Sequence, residues 1–310
     1  MRYPIHMMIA ATVLAGSATA LAAQEIPNEG PVPTTVLIQA DSKNNEPLNP
    51  ALLKLEVNRH ESPITAVTPI SPRATQVAIL IDDGARRSFG LQIKDVQDFI
   101  NSLPPQTEVF VGYMQNGEVR SADGGFSANH EQVASQLRQT LGLPGIAASP
   151  YFSLSTFVKQ WPSNKPAARM VLMITNGVDP YNGRPSVMNQ DSPYVQSAQE
   201  DAQRAGVAVY SIYYADSGMR GGSFSGQSYL SQVAEATGGE LFNLGTIPPP
   251  SLAPYLKQFG KAIEESYAVS FLASANNEKR DTLTPIKLTT EQAGVKIHAP
   301  EGAHPGVNEP

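Results

Sequence analysis

The chain has 310 residues, enough for one large domain or two small ones, and its 41 % apolar content supports an ordinary hydrophobic core. A net charge of −6 and the absence of a basic stripe argue against nucleic acid as a partner. The chain has no cysteine, which excludes disulfide bonds, thiolate catalysis, cysteine-ligated zinc and a lipidated N-terminal cysteine.

The first residues have the pattern of an export signal. Arg2 supplies a positive charge, residues 7–14 form an apolar core, and small residues at 18–22 provide cleavage sites. We therefore predict a signal peptide over residues 1–22 and a secreted or periplasmic protein, with no membrane span after cleavage. The alternative is an uncleaved anchor, but the apolar core is shorter than the ~20 residues that span a bilayer.

Two flanking regions contain strand patterns without helical periodicity. A proline-rich linker (23–33) precedes an N-terminal β segment (34–72), whose short apolar runs are separated by turn residues. Near the other end, a C-terminal β segment (266–299) precedes a tail (300–310) that we predict to be disordered. Because two or three short strands are only marginally stable alone, we expect the two β segments to pair with each other.

The middle of the chain alternates between strands and helices. Val77–Ile81 is a continuous apolar run, typical of a central strand that is covered on both faces. It ends in Asp82 and Asp83, and a helical period starts near Ser88. Because ligands of open α/β sheets bind at the carboxyl ends of the strands, residues 82–86 are the first candidate site.

Further elements repeat this pattern along the middle of the chain. We predict strands over 108–114, 118–121, 168–175, 207–214 and 240–244. We predict helices over 131–141, 151–161, 195–205, 229–237 and 252–263, and a Gly/Ser loop over 218–226. Together these elements predict an α/β domain inserted in a small β-sandwich that the N- and C-terminal flanks form.

Three stretches resemble parts of a von Willebrand factor type A (vWA) domain: AILIDDGAR, VLMITNGVD and YLSQVAEATGGELFNL. The flanks LEVNRHESPITAV and YAVSFLAS are similar to the ends of a secreted bacterial "VWFA-related" subfamily found in acidobacteria. The resemblance covers nearly the whole mature chain. It implies a vWA (Rossmann-like) domain over residues 75–265 with a central, mostly parallel sheet.

Typical vWA domains bind ligands through a metal-ion-dependent adhesion site (MIDAS), built from Asp-x-Ser-x-Ser, a Thr and a second Asp. The resemblance places these positions on Asp82, Gly84, Arg86, Ser149 and Asn176. Mg²⁺ requires oxygen ligands in near-octahedral geometry, whereas this set has lost two hydroxyls and one carboxylate and has gained a cationic side chain. The resemblance therefore implies a degenerate MIDAS, and we expect no metal or other cofactor.

Two alternatives to this interpretation remain, together with one hypothesis about what replaces the metal. Asp83 and Asp179 could supply substitute oxygens, which would make the protein a metal-dependent vWA adhesion protein. Asp82 and Asp83 could have only the local role of capping the first helix or pairing with Arg86 and Arg87. We also hypothesise that Arg86 occupies the space of the lost cation, pairs with Asp82 or Asp83, and receives a carboxylate of the ligand.

The sequence contains no motif of a known catalytic site. None of its five histidines lies in an HExxH pattern, the glycines of residues 221–226 lack GxSxG spacing, and no Walker loop follows a strand. A carboxylate-based hydrolase that uses Asp82 and Asp83 is the weaker hypothesis, because adjacent residues at a strand end point apart. We therefore predict a noncatalytic protein-binding, adhesion or scaffold module of the cell envelope, with a protein or peptide ligand at the top of the sheet.

Overall fold

The computed structural model describes residues 30–143, 146, 148–183, 188–215, 223–242, 245, 247–274 and 282–307. The predicted signal peptide (1–22) and residues 23–29 of the predicted linker therefore lie outside the described residues. Within the described ranges, no helix has both the length and the apolar character needed to cross a membrane.

The strands along the described chain are β1 (Val32–Ser42), β2 (Leu53–Val57), β3 (His60–Ser62), β4 (Ile64–Pro69), β5 (Thr75–Asp82), β6 (Glu108–Gln115), β7 (Glu118–Arg120), β8 (Ala168–Thr175), β9 (Val207–Tyr213), β10 (Leu241–Phe242), β11 (Ser266–Ala273), β12 (Thr284–Thr290), β13 (Val295–His298) and β14 (Gly302–Ala303). The α-helices are α1 (Ile93–Ser102), α2 (His130–Ser135), α3 (Pro150–Lys159), α4 (Pro193–Arg204), α5 (Ser223–Thr237) and α6 (Ala253–Glu264).

The middle of the chain forms a six-stranded sheet in the order β10-β9-β8-β5-β6-β7. All neighbouring strands are parallel except β6 and β7, which form an antiparallel hairpin. The hairpin turns through Asn116 (φ 50°) and Gly117 (φ 77°), as the Asn-Gly pair predicts. This confirms the predicted α/β domain with a central, mostly parallel sheet.

Strand β5 is covered on both faces, which explains its uninterrupted apolar sequence. Val77, Ile79 and Ile81 are fully buried on one face, where they belong to the same core as residues of α1, α2 and α6. Ala78 and Leu80 are fully buried on the opposite face, with residues of α3, α4 and α5. Successive side chains of the strand point to opposite faces, so the strand contributes to two hydrophobic layers.

The two flanks form a β-sandwich together. One sheet has the order β13-β1-β11-β4 and the other has the order β14-β12-β2-β3, so each sheet combines strands from both ends of the chain. Ile38 of β1, Leu55 of β2 and Phe271 of β11 are almost fully buried in the core that the sheets share. The predicted insertion of the α/β domain into a small β-sandwich is therefore confirmed.

The helix predicted over residues 131–141 is shorter, because α2 ends at Ser135. Beyond it, the Arg138 N–H donates to the Tyr113 hydroxyl (2.7 Å), which donates in turn to the Arg138 carbonyl (2.8 Å). The Leu141 N–H donates to the Asp83 carboxylate (2.9 Å). Hydrogen bonds to distant residues thus satisfy backbone groups that a longer helix would have paired internally.

The tail predicted to be disordered over residues 300–310 is ordered in its described part. Strand β14 pairs with β12, and the Val307 carbonyl accepts a hydrogen bond of 2.7 Å from the Thr35 N–H. The segment has few apolar residues, but Ala303 is buried in the core of the sandwich, and these backbone hydrogen bonds hold the segment against it. Residues 308–310 lie outside the described chain.

The Gly/Ser loop predicted over residues 218–226 is helical from Ser223, where α5 begins. Gly226 therefore lies inside a helix, where its backbone closely approaches that of Asn176 and leaves no room for a side chain. The remaining residues of the predicted loop, 218–222, lie outside the described chain.

Candidate functional site

The carboxyl edge of the central sheet is the end at which its parallel strands terminate. The connections that follow these strands meet there with the connection between α2 and α3. The Gly142 N–H donates to the Asp83 carbonyl (3.2 Å), and the Tyr151 hydroxyl donates to the Gly177 carbonyl (2.8 Å). These contacts bring the segments of all five predicted MIDAS positions to one edge of the molecule.

Asp82 is the last residue of β5, and its side chain is buried. Its Oδ1 accepts a hydrogen bond from the Gly84 N–H (2.8 Å), and its Oδ2 accepts one from the Thr175 hydroxyl (2.8 Å). Burial raises the pKa of Asp82, and these two hydrogen bonds offset only part of that effect. Both carboxylate oxygens are therefore engaged within the protein.

Asp83 is completely buried and has a larger set of donors. Arg138 donates from both Nη atoms, each at 2.8 Å, and Gln115 Nε2 and the Leu141 N–H donate as well. Burial by itself would raise the pKa of Asp83, but these hydrogen bonds together hold it below its ordinary value. Asp83 is thus ionised, and the positive charge of Arg138 balances it within the protein.

Arg138, which the sequence did not point to, is the cation that pairs with Asp83, and the pairing of Arg86 with Asp82 or Asp83 stays a prediction. The guanidinium carbon of Arg138 lies 3.8 Å from the centre of the Tyr113 ring, and this stacking aligns both Nη atoms with Asp83. Arg86 is exposed, and its carbonyl accepts a hydrogen bond from the Thr140 hydroxyl (3.1 Å). Of the predicted local roles, the described contacts include the hydrogen bond from the Gly84 N–H to Asp82.

Asn176 directly follows β8 and closes its own turn. Its Oδ1 accepts a hydrogen bond from the Val178 N–H (2.9 Å). The next residue, Gly177, has a φ of 63°, and its backbone packs against Gly226 of α5. A Cβ added to Gly226 would lie 2.1 Å from the Asn176 carbonyl oxygen, so this contact requires glycine.

Ser149 directly precedes α3 and is completely buried. Its carbonyl accepts a hydrogen bond from the Phe152 N–H (3.1 Å), whereas its hydroxyl oxygen has no hydrogen-bond partner within the described chain. Neither Ser149 nor Asn176 makes a side-chain hydrogen bond to Asp82 among the described residues. The predicted positions thus lie on segments that meet at one edge of the sheet, but the side chains of Ser149 and Asn176 are not hydrogen-bonded to Asp82.

Asp179, one of the two candidate substitute ligands, has a structural role. Its Oδ1 accepts a hydrogen bond from the Tyr181 N–H (3.1 Å) and caps a short 3₁₀ helix over residues 180–182. Its Oδ2 accepts a hydrogen bond from the Ser192 hydroxyl (2.8 Å), and Ser192 caps α4. Both oxygens of Asp179 are therefore used to hold the connection between β8 and α4.

The residues at this edge do not fit the divalent cation that a MIDAS implies. Gly84 offers no side-chain ligand, Arg86 is cationic, and the oxygens of Asp82, Asp83 and Asp179 already accept hydrogen bonds. No group of three or more histidine, aspartate or glutamate side chains is suitably placed for a metal ion in the described parts of the chain. Asp83 could bind Mg²⁺ only by losing some of its four hydrogen bonds, and the edge lacks the hydroxyls and the second carboxylate that would complete the shell.

Two residues that organise the site were not predicted from the sequence. Thr175 ends β8, and its position next to Asp82 follows from the pairing of Ile81 with Ile174, the preceding residues. Aligning β5 with β8 from their sequences could have predicted this contact between Thr175 and Asp82. Arg138 lies in a segment predicted to be helical, and no local signal connects it to Asp83.

Exposed apolar side chains are concentrated at the same edge. The described chain has nine exposed large apolar residues, and eight of them lie in the connections at the carboxyl edge or in the helical turns that follow. We call these eight the apolar rim: Leu91, Leu141, Leu143, Tyr181, Met188, Tyr194, Phe224 and Ile247. The ninth, Leu272, lies on the sandwich.

No protein-family model matches this chain, and no curated protein matches its sequence. Among solved structures, the chain is similar to an aerotolerance-related membrane protein from Bacteroides fragilis, with 10 % identity, 61 % of this chain and 98 % of that chain covered, and a TM-score of 0.43. It is also similar to BatB from Bacteroides thetaiotaomicron (10 % identity, 61 % and 97 % covered, TM-score 0.40) and to the manganese-loaded TRAP protein of Plasmodium vivax (12 % identity, 77 % and 98 % covered, TM-score 0.35). Similarities this low carry no information about function or ligands.

Proposed function

We propose that this protein is a noncatalytic, extracytoplasmic protein-binding module that holds a protein or peptide ligand against the carboxyl edge of its central sheet. The observation that carries this proposal is the apolar rim, which holds eight of the nine exposed large apolar side chains of the described residues. Exposed apolar surface concentrated on one face is typical of interaction sites. The extracytoplasmic location depends on the predicted signal peptide.

In this proposal the residues of the degenerate MIDAS hold the binding edge together and do not bind a cation. Asp83 is neutralised by Arg138, and Asp82 is held by Gly84 and Thr175. A ligand would therefore meet apolar side chains and exposed Arg86 and Arg87, without a metal that bridges it to Asp82. Hydrophobic contact would supply most of the affinity.

The alternatives have less support from the contacts. A metal-dependent adhesion protein that uses Asp83 and Asp179 would have to displace Arg138 from Asp83 and share Asp179 oxygens that already hold the connection between β8 and α4. A carboxylate-based hydrolase would need Asp82 and Asp83 to face one reacting group. Instead, Asp82 contacts Thr175 of β8, while Asp83 contacts Gln115 of β6 and Arg138.

Site-specific photocrosslinking tests the proposal. Benzoylphenylalanine replaces Leu141 or Phe224 in the apolar rim, and Leu272 is the matched control because it is also an exposed apolar residue, 47 % accessible, but lies on the sandwich. In cells of the source organism, we expect a discrete crosslinked protein from the rim positions and none from position 272. Absence of crosslinks at both rim positions, or the same crosslinks from position 272, would contradict the proposal.

A further inference from the structure

Two segments at the carboxyl edge pack against each other and share one exposed surface. The first covers residues 84–92 after β5, and the second covers residues 138–143 between α2 and α3. The Thr140 hydroxyl of the second segment donates to the Arg86 carbonyl of the first (3.1 Å). Side chains from both segments can therefore contact one ligand.

Three leucines of the apolar rim lie on these segments. Leu91 is 83 % exposed, Leu141 is 43 % exposed and Leu143 is 58 % exposed. Asp83 fixes the backbone of the second segment, because its carboxylate accepts a hydrogen bond from the Leu141 N–H (2.9 Å) and its carbonyl accepts one from the Gly142 N–H (3.2 Å). Little backbone entropy therefore remains to be lost when a ligand binds.

Two exposed arginines, Arg86 and Arg87, lie beside the leucines. A Cβ added to Gly142, the residue between Leu141 and Leu143, would lie 3.1 Å from Cγ of Arg87. The aliphatic stem of Arg87 thus packs against the leucine-bearing segment, as long cationic side chains do on apolar surface. We call these residues the leucine–arginine patch: Arg86, Arg87, Leu91, Leu141 and Leu143.

The leucine–arginine patch is locally positive on an acidic protein. Its two segments contain three arginines and no lysine, aspartate or glutamate, whereas the whole chain has 28 acidic and 22 basic residues. Arg138 is balanced by the buried Asp83, so the exposed positive charge of the segments comes from Arg86 and Arg87. Charge complementarity therefore favours an anionic ligand at the patch, while the net charge of −6 disfavours such a ligand elsewhere.

Arginine and leucine together narrow the class of ligand. A guanidinium holds a carboxylate through two parallel hydrogen bonds. The exposed leucines require large apolar groups next to that carboxylate, which a small free anion lacks. Because Asp83 fixes the second segment, Leu141 and Leu143 have a set spacing that the side chains of a peptide can match, whereas a fluid lipid surface gains nothing from such a spacing.

We propose that the leucine–arginine patch binds a segment of a partner protein that carries acidic and large apolar side chains. The carboxylates of this segment contact Arg86 and Arg87, and its apolar side chains cover the three leucines. The inference rests on the proposed function and assigns a ligand chemistry to one part of the apolar rim. It extends to Arg87 and to the leucines the carboxylate contact that the sequence suggested for Arg86.

The test is a fluorescence-anisotropy titration of the full mature protein with a labelled, end-capped decapeptide in which glutamate and leucine alternate. A lysine–leucine decapeptide reverses the charge, and a glutamate–serine decapeptide removes the apolar side chains. We expect the glutamate–leucine peptide to bind more tightly than either control peptide. Its affinity should fall between about 0.05 M and about 0.3 M NaCl, because salt screens exposed charges.

Matched variants locate the binding surface. Arg86→Gln/Arg87→Gln should bind the glutamate–leucine peptide at least about fivefold more weakly and with a smaller dependence on salt. Arg59→Gln/Arg73→Gln removes the same charge from exposed positions outside the carboxyl edge and should bind as the wild type does.

A second pair of variants tests the leucines. Leu141→Ser/Leu143→Ser should also weaken binding of the glutamate–leucine peptide, because it removes the apolar contacts. Leu272→Ser, at an exposed position on the sandwich, should leave the affinity unchanged.

The inference is overturned if the glutamate–leucine peptide does not bind, if a control peptide binds equally well, or if the arginine pair of variants binds it as the wild type does. It is also overturned if phosphatidylglycerol vesicles sediment the wild type but not Arg86→Gln/Arg87→Gln, while the peptide does not bind, since the patch would then contact a membrane. If crosslinking at Leu141 yields a partner protein although the peptide fails, only the assigned ligand chemistry is wrong. If crosslinking at the rim fails as well, the proposed function is wrong.

Discussion

The guanidinium of Arg138 makes two hydrogen bonds, each of 2.8 Å, to the completely buried carboxylate of Asp83. The pair joins the end of β5 to the connection between α2 and α3, across 55 positions of sequence. It therefore both neutralises a carboxylate at the binding edge and fixes the segment that carries Leu141 and Leu143.

Arg138→Met should destabilise the protein, because it leaves the buried charge of Asp83 without its cation. We expect a loss of about 3 kcal/mol in the free energy of unfolding, the lower end for a broken buried pair, since the Arg138 side chain is itself 41 % exposed. Urea unfolding measures the change. Lys94→Met is the matched control: it breaks a pair with Asp98 whose side chains are 77 % and 63 % exposed, and it should cost about 0.5 kcal/mol or less. Equal losses in the two variants would contradict the structural role of Arg138.

Asp82 and Asp83 should change stability with pH in opposite directions. Burial raises the pKa of Asp82, so the folded protein keeps a proton that the unfolded chain has released, and this stabilisation is lost as the pH rises through the raised pKa. For Asp83, burial is outweighed by the hydrogen bonds from Arg138 and Gln115, and its pKa is lowered. Its contribution is present above the ordinary pKa and is lost as the pH falls through the folded value.

The wild type should lose stability through Asp82 as the pH rises, and Asp82→Asn should abolish that decrease. It should lose stability through Asp83 as the pH falls, and Asp83→Asn should abolish that decrease. Urea unfolding of both variants and the wild type, from about pH 3 to about pH 7, measures the two slopes. The asparagine at position 82 can keep both hydrogen bonds if the Thr175 hydroxyl becomes the acceptor. If both substitutions changed the pH dependence of the free energy of unfolding in the same direction, the two carboxylates would not have opposite pKa shifts.

Mg²⁺ binding should require several substitutions at the degenerate MIDAS. We expect no binding by the wild type and none by Arg86→Ser alone, because Gly84 and Asn176 still lack suitable ligands. The triple variant Gly84→Ser/Arg86→Ser/Asn176→Asp should bind Mg²⁺, since it supplies two hydroxyls and a second carboxylate near Asp82. Isothermal titration calorimetry measures the affinity. Micromolar binding of Mg²⁺ by the wild type would show that the site is not degenerate.

Gly226→Ala should destabilise the protein although Gly226 lies in a helix. Alanine normally favours a helix by about 1 kcal/mol over glycine. Here the added Cβ would lie 2.1 Å from the Asn176 carbonyl oxygen, and we expect a net loss of roughly 1–3 kcal/mol from this overlap. Gly125→Ala, where no atom lies within 4 Å of the added Cβ, is the control for urea unfolding. A stabilised Gly226→Ala protein would mean that α5 can move away from the turn after β8 at little cost.

The sequence determined most of the architecture, because hydrophobic periodicity is a local property. The continuous run Val77–Ile81 indicated a strand covered on both faces, and strand patterns at both ends indicated one shared sandwich. The same reasoning located the carboxyl edge and Asp82. These predictions depend on residues a few positions apart, whose burial is set by the period of the strand or helix.

The tertiary structure alone decided which side chains meet at that edge. Arg138 binds Asp83 although no local pattern connects the two residues. Helix α2 stops at Ser135 because Tyr113 takes the backbone groups of Arg138, and Asp179 caps the connection that carries Tyr181. Such contacts join residues that are distant in sequence, and each replaces a local hydrogen bond or a solvated charge of similar free energy. Because the competing arrangements differ by so little, only the packing of the whole chain selects between them.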